Sequence, residues 1–282
     1  MRNRSWRQTA AAIAAVLLIL ALVPGRALAA GWPIYPGAAM CYPTHCYMRA
    51  QDNHSGLQAM QMTMQNTWFS VLDQTRPGYQ RRAVDNECAG GSNCEWFQNH
   101  EMWLQQTNGK RWVEVGLKNQ WQPPGERFAD GRPGCGCQAY YMFWEDGGSG
   151  ADSNANTHLI ANTTPDNSLH TYRIARRGKT TTYDIYVDGG IVGTSTTSGM
   201  TSASASSIGA ETSTYSTMQP LAYMNMSCQS YWWVVDNAGN WFQVTQPNHG
   251  VVGPKTPSKP SQTYFGGWNS TAHQLCIGKG GI

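Results

Sequence analysis

This sequence predicts an all-β protein, an antiparallel β-sandwich, and three observations lead to that prediction. Short runs alternate apolar and polar residues with a period of two, and turn-forming residues separate the runs at short intervals. The composition agrees: only 13% of residues are charged, while 30 Gly, 12 Trp and 13 Tyr are spread along the chain. Helical periodicity is interrupted by Gly, Asn or Pro wherever it begins.

Residues 1–29 carry the pattern of a secretory signal peptide. Arg2, Arg4 and Arg7 precede the apolar run Ala10 to Val23, and Ala27-Leu28-Ala29 forms a small-x-small cleavage site. The run is too short to span a bilayer, so an exported, extracellular protein is expected, free of the membrane after cleavage. Residues 30–65, rich in Pro and Gly at their start, read as an N-terminal arm. Residues 66–245 read as the sandwich domain. Its strands are expected at Asn66 to Val71, Glu95 to Gln105, Arg111 to Leu117 and Ala139 to Trp144, then at Leu169 to Arg176 and Thr181 to Val187. Asp188-Gly189 supplies the positive φ that a two-residue hairpin turn requires, with Ile191 and Val192 returning. Ser204 to Thr214, Tyr231 to Val235 and Trp241 to Thr245 complete the set, and "DNAGN" turns between the last two. Residues 246–282 read as a linker-like appendage that Cys276 ties back.

Cys41, Cys46, Cys88, Cys94, Cys135, Cys137, Cys228 and Cys276 form an even set in an exported chain, the pattern of a disulfide-stabilised fold. Their connectivity does not follow from spacing, although Cys41–Cys46 and Cys88–Cys94 are feasible local bridges. Neither a second Cys-x-x-Cys nor histidines at ligand spacing are present, so no metal and no cofactor are expected. Removing the four arginines of residues 1–29 leaves 16 basic against 17 acidic residues. That balance offers no clustered cations for nucleic acid or an anionic membrane. The chain is expected to act as a monomer.

In "RWVEVGLKN", Val113, Val115 and Leu117 form an apolar face. Glu114 stands opposite, beside Trp112 and Gly116, and that face of a curved sandwich is its groove. In "SSIGAETST", Ile208 and Ala210 share one face while Ser207, Gly209 and Glu211 share the other. Two carboxylates facing one water can divide the roles of acid and base, because like charges push their titrations apart.

The chain from roughly Asn66 to Ser227 resembles the neprosin-type glutamic peptidases, and more broadly the concanavalin-like jelly rolls. The resemblance rests on the order of "VEVGL", "YYMFWED", "YDIYVDGGIVGTS" and "IGAET". It implies a jelly-roll sandwich in which Glu114 and Glu211 are the catalytic pair acting on an extracellular polypeptide. Trp112, Tyr141 and Trp144 are the expected substrate-binding residues. The rival expectation is a non-catalytic carbohydrate-binding or surface interaction module. There Trp103, Trp112, Trp121, Trp144, Tyr140 and Tyr141 would stack on a polysaccharide. The glucanase pattern Glu-x-Asp-x-x-Glu is absent. Asp184, Asp188 and Asp236 read as turn and cap residues, and no sequence signal gives His158 or His170 a nucleophile.

Overall fold

The computed structural model describes residues 40–41, 45–67, 69–70, 96–106, 110–122, 137–148, 156–162, 167–196, 198–213, 223–224, 227–251 and 264–279. The expected signal peptide lies outside them. Residues 34–282 cluster as one compact unit, and no helix occurs among the described residues.

In chain order the strands are β1 (Met40–Cys41), β2 (His45–Asp52), β3 (Ala59–Gln65), β4 (Phe69–Ser70), β5 (Trp96–Gln105) and β6 (Trp112–Gln122). There follow β7 (Cys137–Gly147), β8 (Asn156–Asn162), β9 (Leu169–Arg176), β10 (Tyr183–Val187), β11 (Gly190–Ser195) and β12 (Ala205–Ser213). The last are β13 (Tyr223–Met224), β14 (Ser227–Val235), β15 (Trp241–Gln243), β16 (His249–Val251), β17 (Tyr264–Asn269) and β18 (Gln274–Lys279). One sheet runs β1-β2-β12-β5-β6-β7-β8, with β16 also on β2; the other runs β11-β10-β9-β3-β14-β18-β17, with β15 also on β14. Each strand pairing in both is antiparallel. The fold is an antiparallel β-sandwich, as the alternation predicts.

The core lies between the sheets and is built from strand faces of period two. From the first sheet come Met102, Leu104, Val113, Val115, Leu117, Ile208 and Ala210. From the second come Met60, Met62, Met64, Tyr172, Ile174, Ile185 and Val234, all fully buried. Asp188 (φ 50°) and Gly189 (φ 83°) make the expected tight turn, which puts Val187 opposite Gly190. Gly239 (φ 85°) closes the β14–β15 turn, where Asp236 Oδ1 accepts the N–H groups of Ala238 and Asn240.

Both expected domain boundaries move. The arm supplies β2, which pairs with β12, and β3, which sits between β9 and β14. The appendage supplies β16, β17 and β18. Its Trp268 is fully buried edge-on to Trp232 with ring centroids 6.1 Å apart, and its Cys276 forms a disulfide with Cys228. Cys41 and Cys46 stand opposite each other in register. Their side chains, that of Cys137, and Cys88, Cys94 and Cys135 altogether lie outside the described residues.

Candidate active site

Register decides which residues meet on the outer face of the first sheet. Across β12, β5, β6 and β7, one row reads Ser207, Trp103, Glu114, Glu145. The next reads Gly209, Glu101, Gly116, Phe143, and the third Glu211, Asn99, Lys118, Tyr141. Glu101 therefore has a glycine on each side, while Glu211 and Glu114 stand diagonally from it on the two flanking strands. Diagonal neighbours lie within reach of long side chains when the nearer positions are empty. One carboxylate oxygen from each of Glu101, Glu114 and Glu211 lies within 4.8 Å of the others.

Gly116 is required by space. A Cβ on Gly116 would fall 2.1 Å from the His100 carbonyl oxygen and 2.7 Å from both Cα and Cβ of Glu101. On the far side of the sheet, Gln229 of β14 crosses the core. Its Nε2 donates to the carbonyl oxygen of Gly209 at 2.8 Å and approaches that of Glu101 at 3.4 Å. The second sheet thereby holds the backbones of β5 and β12 together at the Glu101 row.

The cluster is enclosed: Glu101 is 0%, Glu114 4% and Glu211 5% exposed. Burial raises the Glu101 carboxyl well above the ordinary value of 4.5, and the nearby charges of Glu114 and Glu211 add to it. Lys118 opposes the rise. Glu114 is also raised, by burial first and then by Glu145 and Glu211, against the pull of Lys118 and a hydrogen bond from the Trp103 indole. The Lys118 ammonium lies 3.7 Å from Glu145 Oε2, which also accepts a 2.6 Å bond from the Thr157 hydroxyl. Behind the site, burial pulls the His100 imidazole down to about 3, so it stays neutral in the core.

Glu114 and Glu211 thus lie on one face with their carboxyl oxygens close together. Trp112 and Tyr141 share that face by register: Trp112 is partly buried with its ring packed over Gly147, and Tyr141 is fully buried. The expectation that Trp144 lines the groove is corrected. Its side chain points between the sheets, 7% exposed, stacked on His158 at 3.7 Å and packed against Gly193 of β11. The run "AYYMFW" is apolar on both faces, so it carries no polarity from which to choose a face. Trp103 belongs to the groove face, and the side chain of Trp121 lies outside the described residues.

Sequence reading missed Glu101 and Gln229. Glu101-Met102-Trp103 mirrors Trp112-Val113-Glu114, an acid and a tryptophan two apart with a core residue between them. That likeness was the available signal. Gln229 left none, because its role exists only across the sandwich. His170 does have a hydroxyl partner. Ser168 Oγ lies 2.8 Å from its Nε2 and Asp188 Oδ2 2.7 Å from its Nδ1, with Asp188 Oδ1 accepting the Thr171 N–H. This chain of bonds ties the start of β9 to the β10–β11 turn. Among the described residues, Glu101, Glu114 and Glu211 are the one set of metal-type ligands spaced for a cation.

No family model and no curated protein matches the sequence. Among solved structures, the chain is similar to scytalidoglutamic peptidase bound to a peptide-based transition-state analogue, at 9% identity and a TM-score of 0.47, over 83% of this chain and 98% of that one. It is similar to SCP-B, an eqolisin-family peptidase in complex with the tripeptide Ala-Ile-His, at 8% identity and a TM-score of 0.46, over 83% and 98%. A Bacillus licheniformis β-glucanase matches at 12% identity and a TM-score of 0.36, over 72% and 90%.

Proposed function

We propose that this chain is an exported hydrolase of polypeptides in which Glu211 and Glu114 act on the two sides of a water-mediated attack. The observation that carries the reading is the approach of their carboxyl oxygens to within 4.8 Å on one enclosed face. Glu211, as the carboxylate, takes a proton from water while the water oxygen bonds to the peptide carbonyl carbon. Glu114, raised by burial and kept protonated, gives its proton to the departing amide nitrogen as the C–N bond breaks. The Cys228–Cys276 disulfide suits an oxidising, extracellular setting.

The test is incubation of the mature chain with a denatured protein between about pH 3 and 7, beside Glu114→Gln and Glu211→Gln. The wild type is expected to cleave and both variants to fail; equal cleavage by all three, or by none, removes the reading. A second reading, a glycan-binding face, draws on the partly exposed Trp112 ring lying over Gly147. Binding to a glycan array without turnover would favour it.

A further inference from the structure

We propose that Glu101 is a positioning residue: it carries a proton that it shares with Glu211, and this hydrogen bond holds Glu211 in place as the ionised base. The kinetic part rests on the hydrolase reading above; the location of the proton does not.

Among the described residues, neither oxygen of Glu101 meets an N–H or O–H donor, and its side chain has no contact with solvent. An ionised carboxylate in that position would be buried without compensation, at a cost that ordinarily drives the group to take up a proton. The carboxyls of Glu114 and Glu211 both lie close to it, and that of Glu211 stands in hydrogen-bonding position. Two carboxylates can only accept, so a hydrogen bond between them requires that one be protonated. Glu101 is the one deprived of other donors, and it therefore holds the proton. It donates to one oxygen of Glu211, which leaves the other to carry the negative charge.

The neighbours from each packed element agree with a single shared proton. Glu114 and Lys118 face the pair from β6, with Glu145 and Tyr141 beyond them on β7. On β2, Arg49 stands opposite Gly209 and Tyr47 opposite Glu211 in register. Behind, His100 is neutral and Gln229 is uncharged. Lys118 lies 3.7 Å from Glu145 Oε2, and its charge pulls against the rise at Glu101 without cancelling it. Gly116 has a purpose in this arrangement, since a side chain there would press on Cα and Cβ of Glu101 and displace its carboxyl.

The proton gives the site an alkaline limit. Once Glu101 ionises, two like charges meet in an enclosed space, and Glu211 loses its anchor.

The test has two readouts. In infrared difference spectra of the wild type near neutral pH, protonated-carboxyl bands of Glu101 and Glu114 are expected that titrate away as pH rises, and Glu101→Gln is expected to lose the Glu101 component while keeping that of Glu114. In pH–rate profiles, Glu101→Gln, whose amide donates at every pH, is expected to lose no more than about tenfold at its optimum and to carry activity to higher pH. Glu101→Leu, which cannot donate, should lose about 100-fold or more. A wild type without these bands, bands unchanged in Glu101→Gln, or the same alkaline limb in both proteins would overturn the proposal. So would activity that is lost on chelation and restored by a divalent cation. If no peptide is cleaved but the Glu101 component is present in the wild type and absent from Glu101→Gln, the hydrolase reading falls and the shared proton stands.

Discussion

On the second sheet, Asp184 receives the Arg177 guanidinium and the Thr194 hydroxyl, and these hold it below the usual carboxylate range, the Arg177 bond most of all. Asp188 is partly desolvated, yet the Thr171 N–H and His170 outweigh that and lower it as well. Asp236 is held down by backbone N–H groups of its own turn, that of Asn240 foremost. On the first sheet the same chemical group meets the reverse: Glu101 and Glu114 are enclosed, short of donors and raised. The difference is one of hydrogen-bond supply. An acid surrounded by donors is stable as an anion and organises a turn. An acid deprived of them keeps a proton that a reaction can use.

The largest effect should separate the two sheets by activity. Glu211→Gln is expected to lower peptide cleavage by about 10³-fold or more, while Asp184→Asn changes kcat/KM by less than about twofold; comparable losses from both would erase the distinction. Next comes space around the cluster. Gly116→Ala should cost about 3 kcal/mol or more, because the new methyl meets backbone atoms that cannot yield. Gly189→Ala, at φ 83° with open space around it, should cost only about 1 kcal/mol, read from denaturant midpoints. Removing the Cys228–Cys276 bridge by double substitution to Ser should cost about 2–4 kcal/mol, which thermal unfolding would show.

The pH dependence of stability is smaller and has a defined sign. The folded-state values of Glu101 and Glu114 lie above the unfolded value, so the folded chain binds more protons. Their contribution is complete below about pH 4.5 and is lost as pH rises towards the folded values. His100 has the opposite sign: lowered to about 3, its contribution is complete above 6.5 and is lost as pH falls. Above pH 7 His100 is neutral in both states, so the glutamates dominate. The wild type should lose up to about 1.4 kcal/mol per pH unit for each proton still held, and Glu101→Gln should show a shallower slope in urea titrations.

Much of the first sheet was readable in the sequence. The Val113, Val115, Leu117 face and the Ile208, Ala210 face are buried as alternation implied, and Glu114 and Glu211 follow from them by parity. The hairpin at Asp188-Gly189 was equally plain, because positive φ at two successive positions is a local demand. β3 was not read, since "AMQMTMQ" alternates through methionine, which has no marked strand preference, next to a stretch rich in Pro and Gly. β17 and β18 were hidden by glycines that resemble a linker until Trp268 and Cys276 are seen packed. Glu101 was hidden because "WFQNHEMWLQ" carries His100 on its core face and tryptophan on its groove face, which blurs the polarity of both.

By itself, the sequence determined which residues share a face of each strand, because the direction of side chains along a strand depends only on the backbone of that strand. It also determined where the tightest turns fall. Strand order and register depend on pairings between segments far apart in the chain, and these the tertiary structure alone decided. It set β5 between β12 and β6, gave Glu101 a glycine on either side, and brought Gln229 through the core to hold the strands beneath it. Three glutamates from three strands share one enclosed space for that reason. Period two is a property of one strand, whereas proximity belongs to the sheet.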